Sequence, residues 1–583
     1  MADNSSAAGP LPAGQGRLAR LIATRGGLAS PEAPFVIEHR EALIYMLCEA
    51  AELEHGIMCQ YLYAAFSLKG AGDGLAGDRL AAVQRWRSGV AHVATQEMLH
   101  LALVQNLLSA IGSAPHLTRP NLPQPANYYP AGVQLALLPF GEQALKHFMF
   151  LERPEGMDLD DADGLRAVGR AQPHLSERDI VPIGQDFKTV GHLYRSIEKG
   201  FARLAEEHGE DWLFVGPPRA QATAEHFGWP ELIPVTDLAS AQRAIDEILE
   251  QGEGPRGHWQ NAHFGQFVEI LDEYQQMMAA SPDFDPVRPV TAANVRPHER
   301  DRQVRLITDP LTARATDLFN VGYEILLQTL ERFFAHTEES DAQLKILADV
   351  TSGLMSRVLR PLGDLITTLP AGPDYPGQTA GPTFELFYED DDLMPHRAAA
   401  WALLAERLDE AAGLCQQLQA DYDQAVATRL DPVLAALRDM SRTLAAELPA
   451  GTVHARLATV PDAPDAGELE ALRDRARALA GQARGEGELA DLFRAAYAIV
   501  LAAGRPQALI VPRLVDSVLR PLADELGAGP AVDPPGEAGS VWTVARAATA
   551  LRVRLARDCP PGLAEAVAAL QDLAGQLASP AEA

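Results

Sequence analysis

Four helical stretches of this chain carry, within an apolar face, a residue type that holds metal ions. Glu54 falls in a series that steps by three or four: Leu47, Ala50, Glu54, Met58, Tyr61, Ala65, Leu68. Such steps stay on one helical face, so the carboxylate points where a bundle interior would lie. A carboxylate there is costly unless it is paired or bound to a cation. Glu97 and His100 interrupt a second series, Trp86, Val90, Val93, Glu97, His100, Val104, Leu107, Ile111. At ~100° per residue they stand about 60° apart on one face. That is the Glu-x-x-His arrangement by which a bundle presents a carboxylate and an imidazole to one metal. Glu198 sits among Val190, Tyr194, Phe201 and Ala205, and His263 among Trp259, Phe267, Ile270 and Tyr274.

Each residue alone has a bland reading, as a rim carboxylate or a core histidine with its hydrogen bonds met. The order is more informative: Glu, Glu-x-x-His, Glu, then a His-bearing helix. It follows the di-iron bundle scheme, which takes Glu from two helices and Glu-x-x-His from the other two. Carboxylates with one imidazole per metal suit iron or manganese, with zinc also open. The fourth helix departs from the scheme, because Gln260 stands three residues before His263. Gln260 offers only a neutral carbonyl oxygen, so the second metal position is expected to be weak or empty, and one or two ions both stay open. Glu269 is rotated about 120° away and Glu273 lies roughly 15 Å along the axis, so neither replaces it.

Other residues read more plainly. Glu49 and Glu52 fall off the stripe and are expected to be solvated. Tyr61 and Tyr194 lie one or two turns from ligand positions, where they could orient ligands, relay electrons or simply pack. Cys48 and Cys59 read as small buried hydrophobes. His336, Glu338 and Glu339 read as a helix terminus with solvated acids rather than a second metal feature, and Tyr388 to Asp392 as an exposed acidic loop.

The elements that must position these residues are helical. Apolar periodicity predicts helices over about 38–69, 80–111, 187–208 and 258–279, and a shorter one near 237–251 that Thr236 and Asp237 could cap. The passage from the second helix to the third is long, as in a bundle with one crossover connection. It contains HLTRPNLPQPANYYPAG and then VQLALLPF, read as a short strand or an extended arm. The 112–140 segment, with Tyr128 and Tyr129, could cover a substrate pocket or hold the helices together.

A repeat marks the second half. DLFNVGYEILL from Asp317 is answered by DLFRAAYAIVL from Asp491, and SRVLRPLGD from Ser356 by DSVLRPLAD from Asp516. HRAAAWALLAERL from His396 is answered by ARAATALRVRL from Ala545. Three matches in one order suggest duplication of a helical module. The expected organisation is therefore all-α: a disordered tail over 1–34, a metal-binding bundle over 35–282, a linker over 283–310, one module copy over 311–430, and a degenerate second copy over 431–583.

Composition bounds the function. The 583 residues carry 49 Lys+Arg against 79 Asp+Glu, a net charge of −30. This disfavours bulk contact with nucleic acid or anionic membranes. No run of apolar residues is long enough to span a bilayer. The four scattered cysteines suggest neither a disulfide framework nor a thiolate zinc site, so a reducing cytoplasm is the expected location. There is no Cys-x-x-C-H haem motif and no nucleotide-binding Gly-rich loop followed by Lys.

The segments EALIYMLCEAAELEHGIMCQYLYAAFSLK, QEMLHLALVQNLLSAIGSAPH, VGHLYRSIEKG and AHFGQFVEIL resemble a ferritin-like domain family, the iminophenyl-pyruvate dimer synthase type of violacein- and rebeccamycin-type pathways. The connecting segments ANYYPAG, FLERPEG, VGPP, VTDLASA and EQGEG match as well, and the resemblance spans about residues 38–280. It implies a ferritin-like four-helix bundle with ligands at Glu54, Glu97, His100, Glu198 and His263, and with Gln260 at the position of the usual Glu. It further implies an iron-dependent oxidase or oxygenase acting on a small aromatic or amino-acid-derived metabolite, including oxidative imine dimerisation in secondary metabolism. The partner expected is then a small-molecule substrate, with a homo-oligomer left open. Two other readings stand beside it. One is a non-catalytic bundle with C-terminal interaction modules. The other, weaker because a 583-residue chain hinders a closed shell, is iron storage.

Overall fold

The structure, a computed structural model, describes residues 33–124, 135–157, 159, 187, 189–254, 259–292, 306–387, 393, 395–448, 466–502, 511 and 514–532. The chain divides into two compact units, Met1–Cys415 with Arg429–Thr452, and Gln416–Thr428 with Val453–Ala583. Among the described residues the secondary structure is helical, with isolated bridges between extended segments. None of the described helices is long and apolar enough to cross a membrane.

The first unit is built on α1 (Arg40–Ser67) and α2 (Gly77–Ala110), which pack along each other. α1 is buried on nearly all sides: Leu53, His55, Ile57, Cys59 and Tyr63 are covered as fully as the Leu47–Leu68 stripe. A helix that is apolar around its whole circumference belongs in the middle of a structure. Around this pair stand α3 (Glu142–Leu151), α4 (Val190–His208), α5 (Leu238–Gly252) and α6 (His263–Ala280). α3 packs on α6, α4 on α5, and α4 also on α1. Local chemistry sets the starts: Thr189 caps α4 through the His192 N–H, and Asp237 caps α5 through the Ser240 N–H at 2.7 Å.

The VQLALLPF stretch is an extended arm over its described part. Gln60 and Ser67 of α1 hold it, Gln60 Oε1 accepting from the Ala136 N–H and Ser67 Oγ from the Phe140 N–H. α3, which follows the arm, was not anticipated from sequence. Tyr128 and Tyr129, the acidic stretch 388–392, the Ala545 repeat and nearly all of the expected tail lie outside the described residues.

The same unit continues through α7 (Pro310–Phe334), α8 (Asp341–Gly353), a π-helical turn (Leu354–Leu359), α9 (Arg360–Ile366), and parts of α10 (Arg397–Asp421) and α11 (Gln424–Ala446). Residues 310–387 fall in one compact unit with the bundle. They do so through buried contacts. The Tyr323 hydroxyl meets His55 Nε2 and lies 3.2 Å from Cys59 Sγ, Arg119 Nη2 donates to the Phe384 carbonyl, and Gly363 faces the ring of Phe66. Glu339 is not solvated. Its carboxylate is buried against Arg332, with Nε–Oε1 at 2.6 Å, and accepts from Trp401 Nε1 at 2.9 Å.

The second unit contains α12 (Ala466–Gln482), α13 (Glu488–Ala502), a π-helical turn (Leu514–Leu519) and α14 (Arg520–Glu525). Its core includes Phe493, Tyr497, Val500, Val515, Val518 and Leu522. Both π turns occur in the Arg-Pro-Leu segments, with Pro361 and Pro521 just behind them. Proline has no N–H to close an α-helical bond to the turn before it, so the chain winds wide there.

Candidate metal centre

α1 brings Glu54 to the interior, and α2 brings Glu97 and His100 beside it. His100 Nδ1 lies 2.8 Å from Glu97 Oε2 and 3.5 Å from Glu54 Oε2. His263, the first residue of α6, places Nδ1 2.8 Å from the other oxygen of Glu97 and 3.6 Å from Glu152 Oε2. Glu152 caps the C-terminal end of α3. The result is two groups of donors, Glu54–Glu97–His100 and Glu97–Glu152–His263, which share Glu97. All five side chains are buried, and the two imidazole rings are stacked at 5.4 Å.

The surroundings repeat in each group. The Tyr194 hydroxyl donates to Glu54 Oε1 at 2.6 Å, and that of Tyr61 to Glu152 Oε1 at 2.5 Å. His100 Nε2 faces Gln251 Oε1 at 3.1 Å, and His263 Nε2 faces Gln96 Oε1 at 3.2 Å. An Nε2–H donated outward to an amide oxygen leaves the Nδ1 lone pair directed inward, the usual way in which a second partner fixes a metal-binding imidazole.

Burial, then the neighbouring Glu97, pushes the Glu54 carboxyl up to about 8, against the pull of His100. Burial opposes charge on His263 as well, but Glu97 and Glu152 outweigh it and lift the imidazole to about 9. Burial also disfavours the Glu97 carboxylate, yet His263 and His100 together hold it well below the usual range. Three buried carboxylates thus depend on protons for compensating charge. Glu97 Oε1 and His263 Nδ1, though 2.8 Å apart, make no hydrogen bond of proper direction and are buried without one. Two donors each about 2.1 Å from one ion and at right angles stand about 3 Å apart. Two carboxylates and one imidazole at each position, one carboxylate shared, form a donor set that fits iron or manganese.

The sequence-predicted residues are distributed unevenly. Glu54, Glu97, His100 and His263 come together. Glu198 does not: it is half-buried on the flank of α4 that faces α5, among Arg195, Lys199 and Asp246. The inward side of α4 at this level is taken by Tyr194, Ile197 and Phe201. Gln260 belongs to neither group. It lies in a 3-10 turn, Trp259–Asn261, before α6 begins, so helical phase does not carry it to the side of His263. Glu152 was missed, and so were Gln96 and Gln251. The signal for Glu152 was the charged residue directly after the apolar run Phe148-Met149-Phe150-Leu151. Glu49 and Glu52 are half-buried rather than solvated. Burial and Glu52 raise Glu49 to about 7, and Glu52 Oε1 lies 3.0 Å from His116 Nε2.

A helical bundle with a shared-carboxylate donor set at its centre defines the class. Residues 47–272 match the ferritin-like family model, and this part of the chain is a ferritin-like domain. Among characterised relatives, the chain is 27% identical over 387 residues to dichlorochromopyrrolate synthase of Lentzea aerocolonigenes, covering 60% of this chain and 36% of that protein. It is 26% identical over 384 residues to 2-imino-3-(indol-3-yl)propanoate dimerase of Chromobacterium violaceum, covering 60% of this chain and 34% of the relative. The chain thus spans about a third of the length of these relatives. A crystallised ferritin-like protein from Caulobacter vibrioides aligns over 54% of this chain and 96% of its own, at 18% identity and a TM-score of 0.33.

Proposed function

We propose that this protein is a non-haem dimetal oxidoreductase acting on a small aromatic or amino-acid-derived metabolite. The observation that carries this reading is the sharing of Glu97 between two buried carboxylate–imidazole groups. Glu54, Glu97 and His100 would hold one ion, and Glu97, Glu152 and His263 the other. When bound, iron or manganese would supply the electron-transfer chemistry that these side chains lack. The chain's own share is to fix the donors. Tyr194 and Tyr61 orient the outer carboxylates, Gln251 and Gln96 set the imidazole tautomers, and the surrounding core excludes water.

An aromatic substrate class is supported by the character of an apolar cavity of about 50 Å³ whose lining includes Met58, Met98, Phe227, Trp229, Tyr323 and Met355. Flat rings and thioethers favour an aromatic occupant. The cavity lies against the turns that carry the ligands: Met58 is one turn beyond Glu54, and Met98 is next to Glu97. The name of the Chromobacterium violaceum relative makes an indole-derived imino acid the first substrate to try, and imine dimerisation the first reaction.

The test is metal content by mass spectrometry on protein purified without a metal-affinity tag, beside a Glu97→Ala/His100→Ala variant. About two equivalents of iron or manganese are expected, lost in the variant. Oxygen uptake with aromatic amino acids and their imines follows. No bound metal, even after anaerobic loading with ferrous iron, would overturn the reading and leave a non-catalytic bundle.

A further inference from the structure

A second, smaller cavity of about 20 Å³ lies where the end of α3, the first turn of α4 and the last turn of α5 meet. Two of its walls belong to the candidate metal centre. Glu152 is a donor of one group, and Tyr194 holds Glu54 of the other. Val190 and Gly252, both partly exposed, stand at its rim. The cavity has room for about one water-sized molecule, so it does not suit an indole-sized one.

Gly252 is the informative residue. It is the last residue of α5 and lines the cavity. Its backbone is not left-handed, so chain geometry does not call for glycine. A Cβ built at Gly252 has one neighbour within 4 Å, Glu152 Oε2 at 3.6 Å, an ordinary contact with a donor oxygen of the centre. Gly252 lines the cavity, so a bulkier side chain there would narrow it. The nearby Gly191 differs: its Cβ would run into the Glu253 carboxylate at 2.5 Å, so packing alone accounts for it.

We propose that this cavity is the route by which a neutral diatomic molecule of the dioxygen class reaches the metal centre, and that the bare backbone of Gly252 sets its bore. The inference rests on the dimetal reading above. It separates small-molecule access from the aromatic cavity lined by Met58 and Met355.

The probe is nitric oxide, a dioxygen-sized ligand of ferrous iron, added to the full-length protein loaded anaerobically with ferrous iron. Its association rate is followed by stopped-flow absorbance. Gly252→Leu is expected to slow association by about tenfold or more, and Gly252→Ala by a smaller factor. The alanine variant makes only ordinary van der Waals contact, so it guards against misfolding. Met355→Trp, which fills the other cavity, should leave the rate unchanged. Iron content and helicity are checked in every variant. Unchanged nitric oxide rates in a Gly252→Leu protein that still holds iron would overturn the route, as would slowing by Met355→Trp instead. Failure of the unaltered protein to hold iron would overturn the dimetal reading itself, and is a separate outcome.

Discussion

At the scale of single residues, the centre turns on which carboxylates reach it. Glu152 lies 3.6 Å from His263 Nδ1, while Glu198 stands on another flank with Arg195 and Lys199. Glu152→Ala should therefore lower bound metal from about two equivalents to about one, and Glu198→Ala should leave it unchanged; metal content by mass spectrometry separates the two. The positions of Glu54, Glu97, His100 and His263 were legible in the sequence because each interrupts an apolar period, and a polar residue there must have a partner. Glu152 was not legible in this way. It caps a short helix, so it has no helical series to interrupt.

At the scale of elements, one buried ion pair ties three helices. Arg332 at the end of α7 and Trp401 of α10 both bind Glu339, just before α8. Removing one partner of a buried pair costs about 3–5 kcal/mol. Glu339→Gln should then markedly lower the unfolding temperature, while Glu338→Gln at the exposed neighbour should not. Burial alone would raise the Glu339 carboxyl, but Arg332 and the hydrogen bonds hold it at about 2, below its ordinary 4.5. Its contribution to stability is thus fully present above pH 4.5 and lost as the pH falls through about 2, which acid titration of unfolding in wild type and Glu339→Gln would show.

Gly363 of α9 makes a related case. Its counterpart in the second Arg-Pro-Leu segment is Ala523. A Cβ at 363 would meet the Phe66 ring at 2.7 Å. Gly363→Ala should therefore destabilise by about 1–3 kcal/mol despite the better helix propensity of alanine, as read by thermal melts.

At the scale of the whole molecule, the bundle does not end at its own surface. α1 is covered on one side by the candidate centre and on another by residues of 310–387, with Tyr323 at His55 and Cys59 and Gly381 against Tyr63; beside it the Phe384 carbonyl accepts from Arg119. A fragment of residues 33–282 would expose these groups, including the buried guanidinium of Arg119. It is expected to melt without cooperativity and to bind a hydrophobic dye, whereas a fragment ending at residue 452 should melt cooperatively. A sharp thermal transition for the shorter fragment would restore the bundle as a self-standing domain.

The sequence by itself determined the helical class, the approximate spans of α1, α2, α4 and α5 and the inward placement of four polar residues. Each of these follows from a local period of 3.6 residues, which needs no knowledge of what packs where. Tertiary structure decided the rest. Which flank of α4 faces inward depends on α5, so it settled that Tyr194 and not Glu198 lies at the centre. It brought Glu152 to His263 across 111 positions of chain, a meeting that no local pattern encodes. It also joined residues 310–387 to the bundle, because the side of α1 that carries His55, Cys59 and Tyr63 is buried as well and must be covered.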